Sequence, residues 1–65
     1  MEIDALKLKS AMIASCLNVA DLVRKSGVSQ ATISGLMYHG RRPNLATIGK
    51  IAKALDVPAS VLIKD

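Results

Sequence analysis

The segment Gly27-Val28-Ser29-Gln30-Ala31-Thr32-Ile33-Ser34 restricts what this chain can fold into more than any other, because one helix must end and another begin across a very short joint. Gly27 can take the left-handed conformation that closes a preceding helix, and Val28 is an apolar plug. Ser29 is a good N-cap, its side-chain oxygen accepting one of the backbone N–H groups that a first helical turn leaves unpaired. Two helices joined this way form a helix-turn-helix, with the motif spanning about residues 18–38.

The flanking sequence supplies the other elements. Ile3 to Ser15 is expected to be the first helix, with Ala5, Leu6, Leu8, Met12 and Ile13 forming an apolar stripe at mixed three and four spacing. Asn18 is the expected N-cap of a second helix over Val19–Ser26, and Asp21 places a carboxylate in its first turn. The third helix is expected over Gln30–Tyr38, with Ile33, Leu36 and Met37 facing inward and Ala31, Ser34, Gly35 and Tyr38 outward. Pro43-Asn44 then stops a basic connector and caps a fourth helix, Leu45 to Leu55, whose expected core face is Leu45, Ile48, Ile51, Ala52 and Leu55. A short fifth helix after Pro58 is expected to bury Val61 and Leu62. The fold class read from this pattern is all-α, five helices in a single domain over residues 1–65.

At 65 residues the chain lies near the lower limit for a self-sufficient core, so the 51% hydrophobic content is needed for folding. With Tyr38 as the sole aromatic residue, that core must be aliphatic. The lone Cys16 removes an internal disulfide framework and reads as a small buried hydrophobe more readily than as a redox switch. With His39 the sole histidine there is no zinc-ligand spacing, so no metal or cofactor is expected. Met1-Glu2-Ile3-Asp4 lacks the basic start of a secretory signal, and no apolar run approaches the roughly 18 residues of a membrane span. A cytoplasmic location and no membrane partner are expected.

The charge is +4, and its distribution is more informative than its sum. No acidic residue falls between Leu22 and Leu55, whereas Arg24, Lys25, Arg41, Arg42, Lys50 and Lys53 all do. A polyanionic partner fits that asymmetry; a solvated basic face is the plainer explanation. Enzymatic activity is disfavoured, since there is no acid pair and no phosphate-binding glycine loop between a strand and a helix. Single-stranded nucleic acid is disfavoured because base-stacking modules need several aromatics.

Two ordered stretches resemble the lambda-repressor/Cro-like helix-turn-helix family. The first is Asn18-Val19-Ala20-Asp21-Leu22-Val23-Arg24-Lys25-Ser26-Gly27-Val28-Ser29-Gln30-Ala31-Thr32-Ile33-Ser34. The second is Pro43-Asn44-Leu45-Ala46-Thr47-Ile48-Gly49-Lys50-Ile51-Ala52-Lys53-Ala54-Leu55-Asp56-Val57, at the family's distance from the first and without a net insertion. The resemblance implies a helix that enters the major groove with its N-terminal side chains toward base edges, while the helix before it crosses the backbone. Carried onto this sequence, Gln30, Ala31, Ser34 and Gly35 are the implied base contacts. Gln30 can bond adenine N6 and N7, and the Ala31 methyl can pack on a thymine methyl. Asn18, Ser29, Thr32, Tyr38, His39, Arg41, Arg42 and Asn44 are the implied phosphate contacts. Ser29 and Asn44 can serve as caps at the same time, and His39 can equally face solvent. Lys50 and Lys53 are expected on the outside of the fourth helix.

Four positions depart from the family pattern. Val19 stands where many members carry a phosphate-touching Gln, Gly35 where a long polar side chain is frequent, and Asp56 where a Gly often ends the fourth helix. Met12 and Met37 occupy the places of an Arg–Glu pair found in several members, which suggests an apolar contact in place of an ion pair. The implied function is that of a sequence-specific double-stranded DNA-binding regulator of Cro-like or repressor type. Such a protein would act in a bacterial or phage-host cytoplasm as a homodimer on a pseudo-palindromic operator, with no small-molecule ligand evident. The rival is a protein-interaction module, such as an antitoxin or a phage-encoded regulator, for which the apolar surplus at Val57, Val61, Leu62 and Ile63 would form the partner surface.

Overall fold

The structure, a computed structural model, describes residues 2–64. Its order is α1 (Ala5–Ala14), α2 (Val19–Ser26), α3 (Gln30–Tyr38) and α4 (Leu45–Leu55), followed by a single 3-10 turn, Ala59–Val61. The bounds of α2, α3 and α4 agree with those expected from the sequence. The expected fifth helix is only that turn, because the chain after Pro58 makes two successive i→i+3 bonds, Val61 N–H to the Pro58 carbonyl and Leu62 N–H to the Ala59 carbonyl, and does not continue as a helix.

Each α-helix N-terminus is held by a side chain. Asp4 Oδ1 accepts from the Leu6 and Lys7 amides at 2.9 and 3.2 Å, which starts α1 later than Ile3. Asn18 and Asp21 form a reciprocal capping box at the start of α2, with bonds of 2.8 and 3.2 Å. The other ends are closed by left-handed residues. Gly27, at φ 75°, ends α2 with its N–H donating to the Val23 carbonyl. Cys16 (φ 56°) and Asp56 (φ 57°) do the same for α1 and α4 without being glycine. In both cases the left-handed residue and the one after it bond back, Cys16 to Ile13 and Leu17 to Met12, Asp56 to Lys53 and Val57 to Ala52, as in a Schellman motif. Asp56 therefore stops α4 where a glycine would have done so.

Among the described residues the core is entirely apolar, and its five fully buried large side chains are Leu8, Leu22, Ile33, Ile51 and Leu62. They come one from each helix and one from the end of the 3-10 turn, so every element is anchored through a different residue. Their burial, at roughly 1.5–3 kcal/mol each, is the main favourable contribution to folding. Met12 lies in this core and Met37 packs against its edge, an apolar arrangement compatible with the loss of an ion pair there. The segments at the two ends of the chain are tied by an antiparallel bridge between Ile3 and Ile63, with Asp4 N–H to Leu62 O at 2.8 Å and Lys64 N–H to Glu2 O at 2.9 Å.

Several expected core residues are exposed. On α1 the buried set is Leu8, Ala11 and Met12, and Leu6 and Ile13 lie on a second line, seven residues apart, that faces outward at 75% and 77% exposure. The mixed spacing of the sequence had merged two stripes into one. Leu45, in the first turn of α4, and Val61 also stand out from the core. Cys16 is exposed rather than buried, because its left-handed backbone turns it away at the end of α1.

Candidate nucleic-acid interface

The N-terminal turn of α3 is built by Ser29. Its Oγ accepts the Thr32 N–H at 3.2 Å and lies 2.9 Å from Thr32 Oγ1. Two hydroxyls in mutual contact use one proton between them, so one O–H remains for an acceptor outside the protein, such as a phosphate oxygen. Ile33 and Leu36 pin the helix to the core, α2 and α1 pack against it, and Gln30 and Ala31 are left exposed on its leading end. Ser34 is half-buried beside them. Gln30 thus presents both a carbonyl and an amide from a fixed backbone, which is the donor and acceptor set that a base edge requires.

The caps of α2 and α4 share one design. Asn18 Oδ1 accepts from Asp21 N–H and Asn44 Oδ1 accepts from Thr47 N–H, each at 2.8 Å. The carbonyl side of each amide is spent on the helix, and the NH₂ side keeps two donors for an external oxygen. Both residues are exposed. At α2, α3 and α4 alike, the expected cap and the expected phosphate donor are therefore chemically compatible in the same residue, with the helix N-terminus adding its partial positive charge.

The far end of α3 differs from expectation. Gly35 was to lie open beside Ala31 and Ser34, but it is buried: a Cβ placed on it would stand 2.8 Å from Arg41 Cδ and 3.3 Å from Arg41 Nε. The Arg41 stem covers the notch that the missing side chain leaves. Tyr38 is exposed, with the Lys9 ammonium 5.1 Å from its ring centroid, and His39 caps the helix through its N–H to the Gly35 carbonyl.

Beyond Lys7 and Lys9 on α1, the cations divide into two groups. Arg24 is held by Asp21, and Arg42 lies 3.5 Å from Glu2, which Lys64 also approaches at 3.7 Å. These are exposed pairs of small energetic weight that open readily toward a polyanion. Arg41, Lys25, Lys50 and Lys53 have no acidic partner among the described residues. Lys25 lines one shallow cleft with Lys50 and Lys53, so the end of α2 and the outside of α4 share a basic patch that their separation in sequence hides. Among the described residues no group of three His, Cys, Asp or Glu converges to hold a metal ion, and no helix is long and apolar enough to cross a membrane.

A family model described as the Cro/C1-type HTH DNA-binding domain matches residues 7–63. The structure is similar to that of the restriction-modification controller protein C.AhdI from Aeromonas hydrophila, with a TM-score of 0.82 and 27% sequence identity, covering 91% of this chain and 89% of that one. No curated protein sequence matches the chain significantly. The fold and the family are those of DNA-binding regulators and not of enzymes.

Proposed function

Because the chain belongs to the Cro/C1-type helix-turn-helix DNA-binding family, we propose that it is a transcriptional regulator that reads double-stranded DNA with the N-terminal half of α3. The observation that carries this reading is the leading end of that helix. Gln30 and Ala31 are exposed on a backbone fixed by the Ser29 cap below and by Ile33 in the core. In this reading Gln30 meets an adenine edge and Ala31 a thymine methyl, with Ser34 at their flank. Asn18, Ser29, Thr32 and Asn44 hold phosphates, with Tyr38, His39 and Arg42 at the margin of the contact.

The regulator would bind as a homodimer, with half-sites about one helical turn apart on a pseudo-palindromic operator, in the cytoplasm. Leu6, Ile13 and Val61, exposed at 75%, 77% and 42%, offer apolar surface for the second copy. Leu62, next to Val61 in the chain, is buried and belongs to the core. The likeness to a restriction-modification controller supports a regulator of similar size, either a small repressor or the DNA-binding part of a longer one.

Selection from a random duplex library, followed by affinity measurements at two salt concentrations, tests the proposal. An enriched inverted repeat and a steep linear fall of log affinity with log salt are expected. The same apolar surface favours one rival, a module whose main partner is another protein. No enriched duplex, together with co-purification of an unrelated protein, would replace the first reading by that one.

A further inference from the structure

The contact between Gly35 and Arg41 extends the reading surface beyond the leading end of α3, and the inference rests on the DNA-binding function proposed above. Gly35 follows Ala31 by four residues and precedes Tyr38 by three, so all three lie along one line of the helix. Ala31 and Tyr38 are exposed, which makes this the outward line. Gly35 is buried there, with Arg41 crossing it. Measured from a Cβ built on the glycine, Arg41 Cδ, Nε and Cβ lie at 2.8, 3.3 and 3.4 Å, so the side chain runs over the bare backbone as far as Nε, while the residue as a whole stays exposed.

The connector is shaped to hold that stem. The Gly35 carbonyl accepts both the His39 N–H at 3.0 Å and the Arg41 N–H at 3.1 Å, and Gly40 between them takes a φ of 63°. The guanidinium itself has no hydrogen bond or ion pair among the described residues, whereas its neighbour Arg42 pairs with Glu2. An arginine that touches only phosphate needs no such seat, because phosphates line both rims of the groove. The seat of Arg41 lies on the same line of α3 as the exposed Ala31 and Tyr38, at the position from which a long side chain at residue 35 would start.

We infer that Arg41 reads a base, supplying from the connector the long polar side chain that Gly35 lacks, and that its target is a guanine. The guanidinium offers a planar fork of donors and no acceptor, which matches the paired O6 and N7 acceptors of guanine in the major groove and no other base edge as well. Packing the stem on the glycine limits its motion before binding, so less freedom is lost on contact.

The test takes the duplex enriched by the wild-type chain and replaces each guanine in turn by 7-deazaguanine, which lacks the N7 acceptor. At one position this is expected to weaken wild-type binding about fivefold or more. Arg41→Ala binds more weakly and becomes indifferent to that replacement. Arg41→Lys keeps the charge and the salt slope but loses most of the guanine preference. Gly35→Ala, whose methyl displaces the stem while favouring the helix, loses part of the sensitivity with its circular dichroism intact. Gln30→Ala and Arg42→Ala keep it. The inference is overturned if no guanine is sensitive. It is equally overturned if Arg41→Ala keeps the sensitivity while weakening all duplexes alike and lowering the salt slope by about one. Both of those outcomes leave the DNA-binding function standing; failure of the wild-type chain to enrich any duplex removes the two together.

Discussion

The two ends of α3 present their side chains by different means. At the N-terminal end, Ser29, Gln30, Ala31 and Thr32 are arranged by hydrogen bonds that span no more than four residues, and Gln30 and Ala31 are open. At the C-terminal end, Gly35, Tyr38 and Arg41 are arranged by segments that come from elsewhere: the connector folds Arg41 back over Gly35, and α1 brings Lys9 to the Tyr38 ring. A local cap makes a rigid platform for short side chains. A returning loop can place a long side chain where the helix itself has none.

The largest expected effect lies beneath both ends. Ile33→Ala removes a fully buried side chain and should destabilise the fold by about 2–5 kcal/mol in urea or thermal unfolding. Hydrogen exchange in that variant should rise at both ends of α3 together. A rise confined to one end would mean that the ends are anchored separately.

Gln30→Ala should cost about 1–3 kcal/mol of binding to the enriched duplex and relax preference at one base pair, with unchanged unfolding. Arg42→Ala should weaken every duplex alike. Ser29→Ala should cost about 1 kcal/mol of stability by removing the cap, and exchange should accelerate at the first turn of α3 only. Smallest is Tyr38→Leu, which removes an exposed cation–π contact and should cost about 0.5–1 kcal/mol, read by thermal unfolding. A larger loss there would show that α1 holds the C-terminal end more firmly than an exposed contact can.

The same contrast explains what could be read from the sequence. The bounds of α2, α3 and α4 follow from Asn18, Ser29, Gly27 and Asn44, whose preferences act within a few residues. The start of α1 does not follow from the sequence, because Ile3 is claimed by a bridge to the distant Ile63 and such pairing leaves no local trace. Hydrophobicity alone places Leu6, Ile13, Leu45 and Val61 in the core, because it does not distinguish an inward stripe from an outward one on a short helix. Cys16 illustrates a further limit: it adopts the left-handed conformation despite its side chain, so no glycine marks the turn. At the site, the residue types at positions 29–34 were legible. The covering of Gly35 by Arg41 was not, since a glycine on an outward helical line reads as open surface until the chain is seen to return over it.

The central claim is that DNA is met by α3 and the helix caps around it, not by the apolar surface of Leu6, Ile13 and Val61. Backbone amide chemical shifts followed during titration with the enriched duplex test it most directly. The account predicts the main changes at residues 29–35 and at Arg41, with further changes at Asn18 and Asn44. Changes centred on α1 around Leu6 and Ile13, with residues 29–35 unmoved, would contradict it.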